Sequence, residues 1–499
     1  MDPGSDVTGP SSAAGTPAKQ PGVSKAVRCD QAIFTSVGSA IASGYRLVAA
    51  SRGLKTEEKQ QIIKCSPSHD GLCDTSPEAV GVSCYPLATG RLAVAYTCCA
   101  GLEQSARGGQ RIYTRAVVLA EEDLGTFAYN PFDVVRSLIA GGGGTPDLKP
   151  PTELPALELS ATIGPDYGTL SDCVGTVGIG WTRCVLDHLL AGRPTVIVGD
   201  FGAAELIEAV LLGLPGPLRA RLSFAAGLRY SLARGFGLSA LAGDPVRLRQ
   251  SLRGHEIDLL EPAADQAGPA PADGAWGRMV QHRWEQGRWS DLVGVTSRRY
   301  GDCSAATLDR CGELCARRDE LSDLDCDGLI GTLNKYAGTA PQEEPAGELT
   351  ATLVSDALRE LTDRLCTAPI DDLTRYWGAV TDLWKRSAAT SVRLSPLVAG
   401  MLKRMTRLSP IAAAKAASRL LASVGVGRNG TAVRQALDDL LDHLGEWLHD
   451  QPIDGLRMLE APLRHWPPSG ALGDRVRQLE QQLAARVADQ PAAGVEAAS

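Results

Sequence analysis

Four consecutive glycines at 141–144, followed by Pro146, Pro150, Pro151 and Pro155, constrain this chain more than any other stretch. Glycine frees the backbone and proline stiffens it, so the composition suits neither a helix nor a central strand. It reads as a linker over 141–156, with one folded domain before it and another after. A second Pro/Ala/Gly-rich stretch, 263–275, reads the same way. Residues 1–26 are rich in Ser, Pro, Gly and Ala without an aromatic, and 486–499 is a polar, Ala-rich tail. Both ends bury too little surface to offset chain entropy and are expected to be disordered.

Three bodies remain between these breaks, a number that suits 499 residues. The first, 27–140, carries strand-like runs at Gln31–Ser36, Gly44–Ala50, Arg91–Thr97 and Gln110–Ala120. A glycine turn at Arg107–Gln110 suits a hairpin between the last two. A helix is expected over 56–64, with the Thr56 hydroxyl as cap, Glu57 and Glu58 at its positive end and Pro67 beyond its stop. Another starts near Pro131 and closes at Leu138. This body is expected to be α+β. The second, 157–262, combines a β-branched strand at Pro194–Val198 with an amphipathic helix at Ala203–Leu212. The stretch Leu170–Leu190 reads as helical in its second half, and Phe236–Leu241 as a further strand. This is expected to be an α/β middle domain. The third, 276–485, is expected to be all-α. Leu349, Leu353, Val354, Leu358, Leu361 and Leu365 form one stripe, and Val433, Leu437, Leu440, Leu441, Leu444, Trp447 and Leu448 another.

The net charge of −8 creates no field that would gather nucleic acid or an acidic membrane. The most apolar segment, Thr195–Leu214, is interrupted by Asp200, Glu205 and Glu208, so no unbroken membrane helix is expected. The first 26 residues lack the apolar centre of a signal peptide. The thirteen cysteines are therefore expected to be reduced thiols of a cytoplasmic protein.

Candidate chemistry is sparse. No G-x-x-x-x-G-K-[ST] phosphate loop occurs, and Gly175–Gly180 lacks both a strand directly before it and a lysine after it. No cofactor is expected. Asp323, Asp325 and Asp327 with Gly328 fit the start of an EF-hand loop, where short carboxylates converge on calcium. The closing position is Asn334, which supplies no bidentate carboxylate. Cys303, Cys311, Cys315 and Cys326 lie close in sequence but lack the tight C-x-x-C knuckle of a zinc site. His69 near Cys65 and Cys73 makes a weak Cys–His pair, since proximity in sequence does not establish reach in space. Arg219, Arg221, Arg229, Arg234, Arg247 and Arg249, with Arg253, form a basic stretch opposed by Asp244. Such a stretch suits an acidic partner or phosphates. Few aromatics interleave it, so stacking on single strands is not signalled.

Some of these segments resemble a known family. Gln31–Phe34 (QAIF), Gly44–Ser51 (GYRLVAAS) and Ile63–Ser66 (IKCS) are similar to the type 2 N-terminal domain of GTPase-associated protein 1. That family belongs to bacterial NTP-dependent conflict systems. Pro194–Val198 (PTVIV), the helix 203–212 and Leu214–Phe224 (LPGPLRARLSF) resemble its middle domain. The resemblance implies a non-enzymatic adaptor working beside a GTPase or other NTPase encoded nearby, and with an effector protein. It brings no catalytic residues and does not reach the C-terminal helices. Two alternatives stand beside it: a hydrolase with a dispersed site, and a nucleic-acid sensor using the 219–253 arginines.

Overall fold

The structure is a computed structural model describing residues 26–38, 43–103, 109–161, 163–262, 268–298, 303–337, 345–386, 388–424, 431–450, 453–464, 466 and 470–488. Residues 1–25, 263–267 of the second linker, and 489–499 of the tail lie outside these.

The first compact unit comprises the described residues up to Ala272 together with Val280–Arg299. Its elements begin with β1 (Val27–Gly38), β2 (Ser43–Ser51), α1 (Thr56–Cys65), β3 (Val80–Pro86), β4 (Arg91–Leu102) and β5 (Gln110–Ala120). Short α2 (Glu121–Leu124), α3 (Pro131–Leu138), β6 (Glu153–Leu154) and β7 (Leu157–Leu159) follow. Then come α4 (Tyr167–Val177), α5 (Ile179–Leu190), β8 (Thr195–Val198), α6 (Ala203–Gly213), α7 (Gly216–Arg221) and β9 (Phe224–Ala226). The sheet closes with β10 (Leu238–Leu241), α8 (Pro245–Ser251) and β11 (Asp258–Leu260).

One sheet holds all these strands, in the order β11-β8-β10-β9-β3-β4-β5-β1-β2-β6, with β7 paired to β1. β8 to β11 run parallel and β1 to β5 antiparallel, which is the α/β and α+β content expected of the two halves. The halves do not, however, part at 141–156. β3 pairs antiparallel with β9, Ser83 opposite Ala225, and makes the sheet continuous. Close backbone approach makes the seam. A Cβ at Gly81 would strike the Leu228 side chain, and one at Gly227, whose φ is +69°, would stand 2.6 Å from Val80 O.

The expected first linker is partly structural. β6 pairs with β2 and β7 with β1. Pro155 lies between them, and its carbonyl accepts from Gln31 Nε2 at 2.7 Å. Composition alone conceals this because Leu154 and Leu159, which are buried, are separated by proline. Two local readings also change. Thr56 is the first helical residue of α1 rather than its cap, and Glu58 reaches back to the Lys55 N–H at 2.8 Å. Leu170–Leu190 is helical in both halves, broken at Gly178 where φ is +90°.

Two helices, α9 (Ala275–Glu285) and α10 (Trp289–Thr296), follow the sheet region. Val280 and Trp284 pack at Gly213, and Trp289 donates to Ser171 Oγ at 2.7 Å, so these tryptophans serve the core.

The second unit comprises Asp273–Met279 and the described residues from 303 onward. It is all-α: α11 (Ala305–Asp319), α12 (Cys326–Tyr336), α13 (Pro345–Thr367), α14 (Ile370–Arg386), α15 (Ala388–Leu408), α16 (Pro410–Val424), α17 (Thr431–Asp450), α18 (Ile453–Leu463) and α19 (Gly470–Ala488). α13 packs on α11, α12 and α15, and α17 on α15, α16 and α19. Both expected stripes face inward: Leu349, Leu353, Leu361 and Leu365 of α13 are buried, as are Val433, Leu437, Leu440 and Leu444 of α17. Among the described residues no helix is long and apolar enough to cross a membrane.

Candidate functional site

The arginine stretch does not form one face. Arg219 on α7 is 0% exposed. Its guanidinium donates to Leu214 O at 2.8 Å, Leu212 O at 3.0 Å and Ala128 O at 3.0 Å, and also to Thr296 Oγ1. Leu212 lies in the last turn of α6 and Leu214 caps it, so Arg219 satisfies orphan carbonyls at the negative helix end. Ala128 and its neighbour Tyr129 both have left-handed backbone, with φ of 50° and 57°. Arg219 is therefore a tie between turn, helix and α10, and the expectation that it meets a partner is corrected. Arg234 is half-buried and donates to Arg229 O, and burial pulls its pKa down.

Arg221, Arg229, Arg247, Arg249 and Arg253 are exposed. Arg249 pairs with Glu261, and Arg247 stands 3.6 Å from Asp244. Tyr230 and Leu248 pack on one apolar cluster built on Val196, Leu241 and Leu252. The Arg229 turn and the α8 arginines thus rise from adjoining parts of one surface.

The carboxyl ends of the parallel strands, where open α/β sheets commonly bind ligands, carry Gly199–Gly202 and Ala242–Asp244. The Glu205 side chain folds back over Gly202 at the start of α6. A carboxylate therefore occupies the end where a phosphate would be drawn.

The three loop aspartates play separate parts. Asp325 caps α12, accepting from Gly328 N at 2.8 Å. Asp327 accepts from Arg375 at 2.8 Å and from the Tyr376 hydroxyl at 3.2 Å. Asp323 lies on the turn before them, its N–H bonded to Glu320 O at 3.0 Å. Among the described residues no group of three His, Cys, Asp or Glu side chains is placed to hold a metal ion. Cys311 and Cys315 are buried.

Two charged clusters brace the first unit. Glu58, on α1, has a side chain 0% exposed and receives Arg91 Nε at 2.8 Å and the Thr89 hydroxyl at 2.5 Å. Arg91 Nη1 reaches Asp30 at 2.6 Å, joining α1 to β1 and β4. Burial alone would raise the Glu58 pKa; the bonds from Arg91, Thr89 and Lys55 overcome it and hold it at about 2. The second cluster joins α3 to α6. Arg136 lies between Asp133 and Glu208, and Asn130 Nδ2 donates to Glu208 at 2.7 Å. Burial raises Asp133 to about 6, with Glu208 adding to the rise and Arg136 opposing it. A carboxyl raised in the folded state contributes stability below about pH 4, and that contribution is lost as pH rises through about 6. Asp133→Asn is expected to gain on the parent protein across that window, by roughly 2–4 °C in Tm. Thermal melts of both proteins from pH 4 to 7 measure the difference; a constant difference would contradict the buried-carboxyl account.

A third arrangement escaped the sequence reading. Cys184 and His188 sit one turn apart on α5, with Cys184 Sγ 3.6 Å from His188 Nε2. His188 Nδ1 lies 3.2 Å from Asp258 Oδ2 at the start of β11. The Cys-x-x-x-His spacing was a visible signal, since residues four apart share a helix face. Asp258 was not, because its approach depends on β11 pairing with β8.

Comparison with known proteins follows the same geometry. Residues 28–159 match the family model described as GTPase-associated protein 1, N-terminal domain type 2. The match runs from β1 to the last residue of β7, so the domain includes the glycine–proline stretch rather than stopping before it. No curated protein and no solved structure matches the chain. Through β1 to β7, the chain is thus similar to the type 2 N-terminal domain of GTPase-associated protein 1.

Proposed function

We propose that this protein is an interaction component of a bacterial conflict system, recruiting a GTPase or another NTPase and hydrolysing no nucleotide itself. The match over 28–159 to a family named for GTPase association carries the reading. The likeness of 194–224 to that family's middle domain extends it across the same sheet. No lysine stands in a glycine-rich loop that could cradle β- and γ-phosphates. The adjoining exposed arginines, Arg229 and Arg247, supply a basic surface for an acidic partner face. The helical second unit is left for an effector.

The test uses the purified full chain and the GTPase encoded beside it. Phosphate release from GTP or ATP by the chain alone is expected to stay at the blank, and the two proteins are expected to co-elute in size-exclusion chromatography. Hydrolysis by the chain alone, tracking the protein peak, would overturn the reading. So would separate elution at every nucleotide state of the GTPase.

A further inference from the structure

Cys184, His188 and Asp258 lie in one close series that partner recruitment does not use: thiol and imidazole are within hydrogen-bond reach, and the carboxylate stands at ion-pair distance from the ring. The thiol and imidazole share one face of α5, and His188 lies in its last turn, where the helix dipole favours an imidazolium. Asp258 is held by β-pairing, since it stands opposite Thr195 in the parallel register and its N–H bonds Pro194 O at 2.9 Å. Its carboxylate, 3.2 Å from Nδ1, can only accept, which favours the tautomer with the proton on Nδ1. Thr195 Oγ1 gives its own hydrogen to Arg193 O at 3.0 Å and lies 3.4 Å from Nδ1, a second acceptor for the same proton. The Nε2 lone pair is left facing the thiol. Nucleophile, base and orienting group thus stand in the order that thiol acyl transfer needs.

We propose that Cys184 is a nucleophile that takes an acyl group from a small activated ester or thioester, with His188 as general base and Asp258 as a positioning residue. The thiol proton passes to Nε2 as Sγ bonds the carbonyl carbon. Collapse of the tetrahedral adduct breaks the bond to the leaving alcohol or thiol, which takes that proton back from the imidazolium. Asp258 stays ionised throughout and steadies the imidazolium charge.

The surroundings set the resting state and the substrate size. Burial raises the Cys184 thiol, with Asp187 and Asp258 adding and Arg193 opposing. Burial also lowers His188, aided by Arg193 and opposed by Asp258 and Asp187. The pair therefore rests as neutral thiol and neutral imidazole, and proton transfer accompanies attack. Cys184 and His188 are 7% and 8% exposed, and the turn 191–194 that follows α5 is exposed. The side chains of Asp258 and Arg193 at the rim are about half open to water. A thiol this buried suits a small acyl donor rather than a folded protein.

This inference does not rest on GTPase recruitment, and its assay needs no partner. The full chain is treated with p-nitrophenyl acetate, and acetylated peptides are mapped by mass spectrometry across pH. Acetylation is expected at Cys184 ahead of every other cysteine and is expected to be absent there in Cys184→Ala. His188→Gln should slow it about a hundredfold and remove the imidazole inflection from the pH–rate profile. Asp258→Asn should slow it about tenfold or more and move that inflection to lower pH, which loss of packing alone would not do. Circular dichroism checks each fold. If His188→Gln does not fold, Asp258→Asn at the open rim carries the test. Acetylation spread over the cysteines by exposure would overturn the proposal, as would an Asp258→Asn profile unchanged in rate and inflection.

Discussion

Replacing Arg91 with methionine is expected to cost the first unit about 3–5 kcal/mol, because it leaves a buried carboxylate without its counter-charge. Glu58 has no exposed side-chain surface, and Arg91 is its cationic partner in the cluster with Asp30. Thr89 and the Lys55 N–H remain, but neither brings charge. The companion variant Glu58→Gln/Arg91→Met should recover part of the loss, since it removes both charges together. The sign of the pH dependence follows from Glu58 being held at about 2 in the folded protein. Its contribution is present above the ordinary glutamate range near pH 4.5 and fades as pH falls toward 2. Urea unfolding followed by hydrogen exchange at β4 and β5 reads this unit separately from the helices. An Arg91→Met midpoint equal to that of the parent protein would show that the cluster is solvated.

Arg219→Met is expected to cost about 3 kcal/mol or more through the carbonyl bonds it removes. Each buried carbonyl left without a donor costs about 1–3 kcal/mol; Leu212 and Leu214 lose the Arg219 donor, and Ala128 O keeps only the Ser297 hydroxyl at 3.2 Å. The strained Ala128–Tyr129 turn loses a bond that holds it, so its amides should exchange faster than those of the sheet. Arg229→Glu, ten residues further on, should shift stability by less than about 0.5 kcal/mol because its side chain faces water. The same urea series measures both. Equal, small effects would mean that Arg219 belongs to the surface after all.

That contrast shows where sequence reasoning runs out. Cap and proline signals located α1 and α3, and periodicity located α6, α13 and α17, because these signals lie in their own residues. Alternation and β-branching located β1, β2, β4, β5 and β8 for the same reason. β3 was left unassigned: Val80–Pro86 contains a glycine and a proline, and its burial arises from β4 on one side and β9 on the other. The first linker was misplaced because glycine and proline composition describes chain stiffness, not whether short flanking segments find an edge to pair with. Arg219 looked like its exposed neighbours because charge carries no sign of burial. Its role depends on carbonyls from 128, 212 and 214, which only the fold assembles. The family resemblance reached the N-terminal domain through local shape segments such as Gly44–Ser51, which forms β2 and carries the short β6 beside it.

The central claim is recruitment of a GTPase through the basic surface beside α8. The direct test measures association of the full chain with the GTPase proposed as its partner, by surface-based kinetics at low and high salt. The Arg229→Glu/Arg247→Glu variant is compared with the parent chain. Charges at an interface rim act mainly on the on-rate. The account predicts association slowed about tenfold or more at low salt, a flattened salt dependence and an unchanged fold. Association rates equal to those of the parent chain at both salts would contradict it.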